Sequence, residues 1–218
     1  MGVACHGELS RLRSELGLLC ELATDAMASA TAALMGRHLT LAEQVITDDS
    51  DIDDAHARFE RTACGVLALY APIAGELRAV IGMIQIGERI QRMGDLARHI
   101  AEAARRRHPV SAVPAALEDC FAEMGRLGVA IGRQVSAAIA HPGTAEIEHL
   151  ERLDDRIDQL ESTVLTWIST EQDDVRAGVD VALLARFFER YADQGVSAAR
   201  RLSYIAGSEP AMHMESPV

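Results

Sequence analysis

The chain has 218 residues, 49% of them hydrophobic and only 4% aromatic, and its 33 acidic side chains against 21 basic ones give a formal net charge of −12. That length and apolar content suffice for a packed core, and the alanine-rich, proline-poor balance favours helices over a strand-rich sandwich or barrel. The acidic charge opposes generic binding to phosphate backbones or anionic surfaces, so nucleic acid is not expected as a partner.

Every basic residue is arginine and none is lysine, a usage typical of a GC-rich bacterial genome. Cys5, Cys20, Cys64 and Cys120 stand far apart without a CxxC pair, so neither a zinc knuckle nor a disulfide framework is indicated, and isolated thiols suit a reducing cytosol. The start, MGVACHGELS, lacks the pattern of a signal peptide. No window reads as a membrane span of roughly 20 apolar residues, and a cytoplasmic, soluble protein is expected, meeting a membrane only through partners.

In chain order, the first helical pattern ends at MGRHLT (35–40), and Thr40 with Glu43 has the spacing of a capping box for the second. The second ends at YAPIAGE (70–76) and the third at RRHPVSAVP (106–114), where Arg105, Arg106 and Arg107 suit the negative end of a helix dipole. Pro114 stands near the start of the fourth, and Thr144 in AHPGT (140–144) is placed to cap the fifth, which closes at EQDDVRAGVD (171–180) before the sixth. Six helices of roughly 25 to 35 residues with short connections fold into bundles. The prolines near the middle divide the chain into an all-α pair of three-helix units, 1–110 and 111–207, with 208–218 expected as a flexible tail.

A repeat supports the division. VITDDSDIDDA carries Asp49 and Asp53 around Ile52, and LERLDDRIDQL carries Asp154 and Asp158 around Ile157, at an offset of 105; RIQRMGDLA ends on Asp95 and RFFERYADQGV on Asp193, at an offset of 98. Placed at 100° steps, Met83, Ile86, Ile90, Met93, Ala97 and Ile100 form the core stripe of the third helix, with Glu88, Arg92, Asp95, His99 and Glu102 opposite. The sixth repeats this, with Val181, Leu184, Phe188, Tyr191, Gly195, Ala198 and Leu202 inward and Arg186, Glu189, Arg190, Asp193, Ser197 and Arg200 outward.

An outward carboxylate array argues against a ferritin-like di-metal enzyme, which buries its ligands and uses Glu-x-x-His from two helices; only Glu146 and His149 have that spacing. Glu189 and Asp193, four residues apart, repel by a few tenths of a kcal/mol, which a divalent cation or the flanking Arg186 and Arg190 would reverse. Spacing leaves both open, with a solvated face of helical ion pairs as the plainer reading. Asp49, Asp53, His56 and Glu60 likewise flank the apolar stripe of the second helix. No glycine-rich phosphate loop or nucleophile elbow is present, so no enzymatic activity is expected. A helical scaffold unrelated to any transport system is the remaining alternative.

At the motifs of the third and sixth helices, and in segments such as LAEQVITDD, RRRHP, FAEMGR and VDVALLARFFERYAD, the sequence resembles the PhoU family, particularly its actinobacterial members. The resemblance implies a non-enzymatic cytoplasmic regulator that negatively controls phosphate uptake as an adaptor between the ATPase subunit of a Pst phosphate ABC transporter and a PhoR-like sensor histidine kinase. Separately, Leu77, Ile81 and Ile84, apolar residues of the third helix outside its core stripe, suit either a homodimer interface or a contact with the first helix. The resemblance also implies divalent or multinuclear metal, iron, zinc, magnesium or manganese, on surface carboxylates. Carried onto this chain, the better metal site is Asp154, Asp158, Glu189 and Asp193. The weaker is Asp49, Asp53, Glu88 and Asp95, because Gln91 stands where Glu189 stands in the second repeat.

Overall fold

The structure, a computed structural model, describes residues 2–171 and 174–208, and every regular element among them is helical. The helices are α1 (Gly2–Gly36), α2 (Leu39–Tyr70), α3 (Ala74–Arg107), α4 (Glu118–Ala140), α5 (Ile147–Glu171) and α6 (Val175–Ser208), with a 3-10 turn at Ala115–Leu117 directly after Pro114. The breaks fall where the turn residues placed them. Residues 209–218, most of the expected tail, lie outside the described residues; Ser208 still belongs to α6.

Two of the proposed caps do not form. Helix α2 begins at Leu39 with His38 as its N-cap, so Thr40 is already inside the first turn; Thr144 sends its hydroxyl back to the His141 carbonyl (2.7 Å), closing the turn after α4 and leaving α5 to start at Ile147. Both threonines are displaced by the true helix starts, the least readable feature of a helical pattern.

Each repeat is a three-helix unit, α1 with α2 and α3, and α4 with α5 and α6. The units also pack α1 on α4 and α3 on α6, so α1, α3, α4 and α6 form a central layer flanked by α2 and α5. All six helices contribute to one continuous buried cluster. The α3 stripe from Met83 to Ile100 and the α6 stripe of Val181, Leu184, Phe188, Tyr191 and Ala198 lie in it as the periodicity required, while Leu202 is partly buried against it.

The contact between α1 and α4 is made by small residues. A Cβ at Gly125 would collide with Thr31 Cγ2, and one at Gly132 with Thr24 Oγ1, so the absent side chains set how near the helices come. Thr24 and Thr31 direct their hydroxyls to the Cys20 and Met27 carbonyls (2.7 and 2.8 Å), which fixes their rotamers at the contact. Tyr191 of α6 reaches through to α1, its hydroxyl donating to the Ala23 carbonyl at 3.4 Å, and burial pushes that phenol far above the usual tyrosine range.

One expectation about hydropathy needs correction. Within α1, His6–Gly36 has a stretch of mean hydropathy 1.3, apolar enough by length and composition to cross a membrane. In the fold Leu12, Leu16, Leu19, Met27 and Leu34 are buried in the shared core, which accounts for the apolar character of a helix packed against three others.

Candidate carboxylate site

Helix α5 lies along α6, and the second repeat's four carboxylates lie along the groove between them, near enough to act on one another's charge. Asp158 and Asp193 are exposed and Asp154 is half-buried, but Glu189 is only 8% exposed. The outward placement of Glu189 is therefore overturned. Helix α6 touches α3, α4 and α5, and beside its main core stripe a second one, Ala185, Ala192, Val196 and Ala199, is buried. Glu189 continues that second stripe.

Burial, first of all, pushes the Glu189 carboxyl up to about 7; Asp193 adds to the rise, and Arg186 opposes it with Nη1 2.7 Å from Oε2. The same order of causes, desolvation and then the charges of Asp193 and Asp158, pushes Asp154 up to about 6, and Asp158 is raised by desolvation and Asp193. Asp154 Oδ1 is buried without a hydrogen-bond partner. Of the flanking arginines, Arg186 pairs with Glu189 and Arg190 is exposed, while Arg200, further along α6, pairs with Glu151 (Nη2 to Oε1 2.7 Å). Negative charge in this groove is thus only partly neutralised.

The first repeat is arranged differently. Arg98 places Nε 2.8 Å from Asp49, Nη1 2.6 Å from Glu102 and Nη2 3.5 Å from Asp95, one carboxylate on each guanidinium nitrogen. Gln91 Nε2 donates to Asp53 at 3.1 Å, and His99 Nδ1 stands 3.2 Å from Glu102 while its ring lies 5.2 Å from Phe187. Burial alone would raise Glu102, but the bond from His99 and the charge of Arg98 outweigh it and hold the carboxyl below its usual range. Asp49 remains raised by burial despite Arg98. Glu88 is exposed and takes no part in these contacts.

Sequence reasoning missed Arg98, although the repeat offered the signal: the offset of 98 that pairs Asp95 with Asp193 pairs Arg98 with Val196. Glu146 and His149 form no bundle centre. Glu146 precedes α5, and its carbonyl accepts the His149 backbone N–H at 3.0 Å. Among the described residues no three His, Cys, Asp or Glu side chains converge into a ready coordination sphere. The second repeat nonetheless offers what a hard cation takes, clustered oxygens with partly cancelled repulsion, two of which, Asp154 Oδ1 and Glu189 Oε2, are buried without a hydrogen bond, the latter held only by its ion pair with Arg186; the first, already holding a guanidinium, does not.

The comparisons agree with this duplicated architecture. The PhoU domain matches residues 16–104 and again 121–202. The chain is 43% identical over 208 residues to "Phosphate-specific transport system accessory protein PhoU homolog 2" of Mycobacterium tuberculosis, covering 94% of this chain and 98% of the relative. It is 42% identical over 213 residues to "Phosphate-specific transport system accessory protein PhoU homolog 1" of Mycobacterium leprae, covering 96% of each. The crystal structure of the phosphate transport system regulatory protein PhoU from Streptococcus pneumoniae superposes with a TM-score of 0.82 at 25% identity, over 94% of this chain and 98% of that one. With both repeats matched and mycobacterial relatives aligned over nearly their whole length, the chain belongs to the PhoU family, as an actinobacterial-type member.

Proposed function

We propose that this chain is a non-enzymatic, cytoplasmic accessory protein of phosphate transport that negatively regulates uptake and the phosphate-starvation response, acting as an adaptor between the ATPase subunit of a Pst-type transporter and a PhoR-like sensor kinase. The observation that carries the reading is full-length similarity, through both repeats, to proteins named as accessory to the phosphate-specific transport system. Those relatives bear accessory names rather than enzyme names. Leu77 and Ile81, one turn apart on α3, are 36% and 44% exposed and suit a homodimer contact, whereas Ile84 packs against the core.

Deleting the gene in its own host is expected to raise alkaline phosphatase activity and phosphate uptake at high external phosphate, with the intact gene restoring both. An unchanged phenotype would favour a helical scaffold with no role in phosphate control.

Divalent or multinuclear metal is part of the proposal for the second repeat only. Asp154, Asp158, Glu189 and Asp193 would hold the ion, and its chemistry would be charge neutralisation of the α5/α6 groove. Partly exposed carboxylates can swing to an ion by rotamer change, so a preformed coordination sphere is not required. Protein purified without chelator is expected to retain metal by elemental analysis, and a variant carrying Asp154→Asn and Asp193→Asn is expected to lose it. Equal metal content in the two would sink this part while leaving the adaptor role standing.

A further inference from the structure

The two repeats carry corresponding carboxylates in different charge surroundings. Asp49 corresponds to Asp154, Asp53 to Asp158 and Asp95 to Asp193, yet the positions around them differ in charge. Where the first repeat has Arg98 and Glu102, the second has Val196 and Arg200. Val196 is 1% exposed in the apolar second stripe of α6, and Arg200 pairs with Glu151, so its charge reaches Asp154 only as the smallest of the influences on that carboxyl and does not offset burial and the neighbouring carboxylates. Arg98 does the reverse and spans α3 to α2, hydrogen-bonding Glu102 and placing its charge within ion-pair distance of Asp49 and Asp95, although Nε makes no aligned hydrogen bond to Asp49.

We propose that Arg98 is a built-in cation that closes the first-repeat carboxylate cluster to metal, so that any divalent cation this chain binds through its repeat motifs is taken by the second repeat alone. The guanidinium stays charged at all working pH, and its planar fork presents donors in fixed directions to three separate carboxylates. A divalent ion entering among Asp49, Asp95 and Glu102 would have to displace it, and the displaced charge would stand close to the ion. Truncating the arginine instead leaves three half-buried carboxylates with only His99 beside Glu102, a state closer to that of the second repeat, where Arg186 neutralises the carboxylates only in part. Gln91 adds to the closure by donating to Asp53, where Glu189 in the second repeat adds another carboxylate.

The inference rests on the metal reading of the second repeat only for the stoichiometry of the wild-type chain, and the experiment separates the two. Chelator-treated full-length protein is titrated with Mn²⁺ by calorimetry, and its thermal unfolding is followed with EDTA or excess Mn²⁺. Arg98→Met, which keeps the apolar stem, is expected to bind one more equivalent of Mn²⁺ than wild type. It is also expected to unfold several degrees lower in EDTA and to recover most of that loss in Mn²⁺, and adding Asp49→Asn should remove the extra equivalent. In the wild-type background Asp49→Asn should leave Mn²⁺ stoichiometry unchanged, a measurement that stands even if Arg98→Met fails to fold.

A folded Arg98→Met with no added equivalent, or a loss of Mn²⁺ from wild type on Asp49→Asn, overturns the proposal. Wild type that binds no Mn²⁺ while Arg98→Met gains one equivalent would remove the second-repeat reading and uphold the role of Arg98.

Discussion

Gly132→Leu is expected to destabilise the protein by about 3 kcal/mol, toward the upper end of what overpacking does in a well-filled core. Even a Cβ at this position collides with Thr24 Oγ1 and comes within 3.0 Å of the Tyr191 hydroxyl, so a leucine must push α4 away from α1 or expel Tyr191 from its bond to Ala23. Thr24 is short and already committed to the Cys20 carbonyl, which leaves little room for local adjustment. Equilibrium urea unfolding measures the effect, and because both repeats share one buried cluster a single transition is expected in wild type. Gly65 in α2 is the control. A Cβ there meets nothing within 4 Å, so Gly65→Ala should stabilise by about 0.5 to 1 kcal/mol through helix propensity. A destabilisation below about 1 kcal/mol for Gly132→Leu would show that α1 and α4 are not held as closely as the structure places them.

The second large effect concerns pH. In metal-free solution the wild-type protein should lose stability as pH rises from about 4.5 to about 7, because Glu189 sits near 4.5 in an unfolded chain and is pushed up to about 7 in the fold. The folded state binds that proton more tightly, so the contribution is fully present below pH 4.5 and is gone once Glu189 ionises. Asp154 adds a change of the same sign between about 3.8 and about 6. A tenfold tighter hold on a proton corresponds to about 1.4 kcal/mol, reduced here by solvent at the groove and by Arg186, so Glu189→Gln should add about 1 to 2 kcal/mol at pH 8 and almost nothing at pH 4. The lowered carboxyl of Glu102 acts with the opposite sign, its contribution lost as pH falls below about 4.5, and so lies outside this window. Identical pH profiles for wild type and Glu189→Gln would show that the carboxylate is not held against ionisation.

Six helices, their order and the core faces of α3 and α6 follow from 3.6-residue periodicity punctuated by glycine and proline, because long helices bury one large apolar stripe each. The duplication was equally readable, since the Asp-x-x-Ile-Asp and Arg-x-x-Asp elements recur in order. What the pattern concealed comes from small side chains and from contacts between helices. The second buried stripe of α6 is Ala185, Ala192, Val196 and Ala199, and alanines signal close approach too weakly to mark Glu189 as buried. The network of Arg98 needs a residue on α2 and two on α3, and only Asp95 and Glu102 are visible as helical neighbours at i−3 and i+4. The motifs showed that carboxylates recur at matching positions of the two repeats, but not that Glu88 stands apart from Asp49 and Asp95 or how each groove is charged.

The glycine contact between α1 and α4 bears on how the molecule is handled by whatever grips it. With no side chain of its own at Gly125 or Gly132 to act as a cushion, and with Tyr191 tying α6 to α1, turning one repeat against the other would drive the Thr24 and Thr31 side chains of α1 into the backbone of α4. The α2/α3 and α5/α6 grooves, on opposite flanks of that seam, are therefore held at a constant span. The two grooves of this rigid pair differ in charge rather than in span: one holds Arg98 among Asp49, Asp95 and Glu102, the other leaves Asp154 and Glu189 raised above the usual carboxylate range.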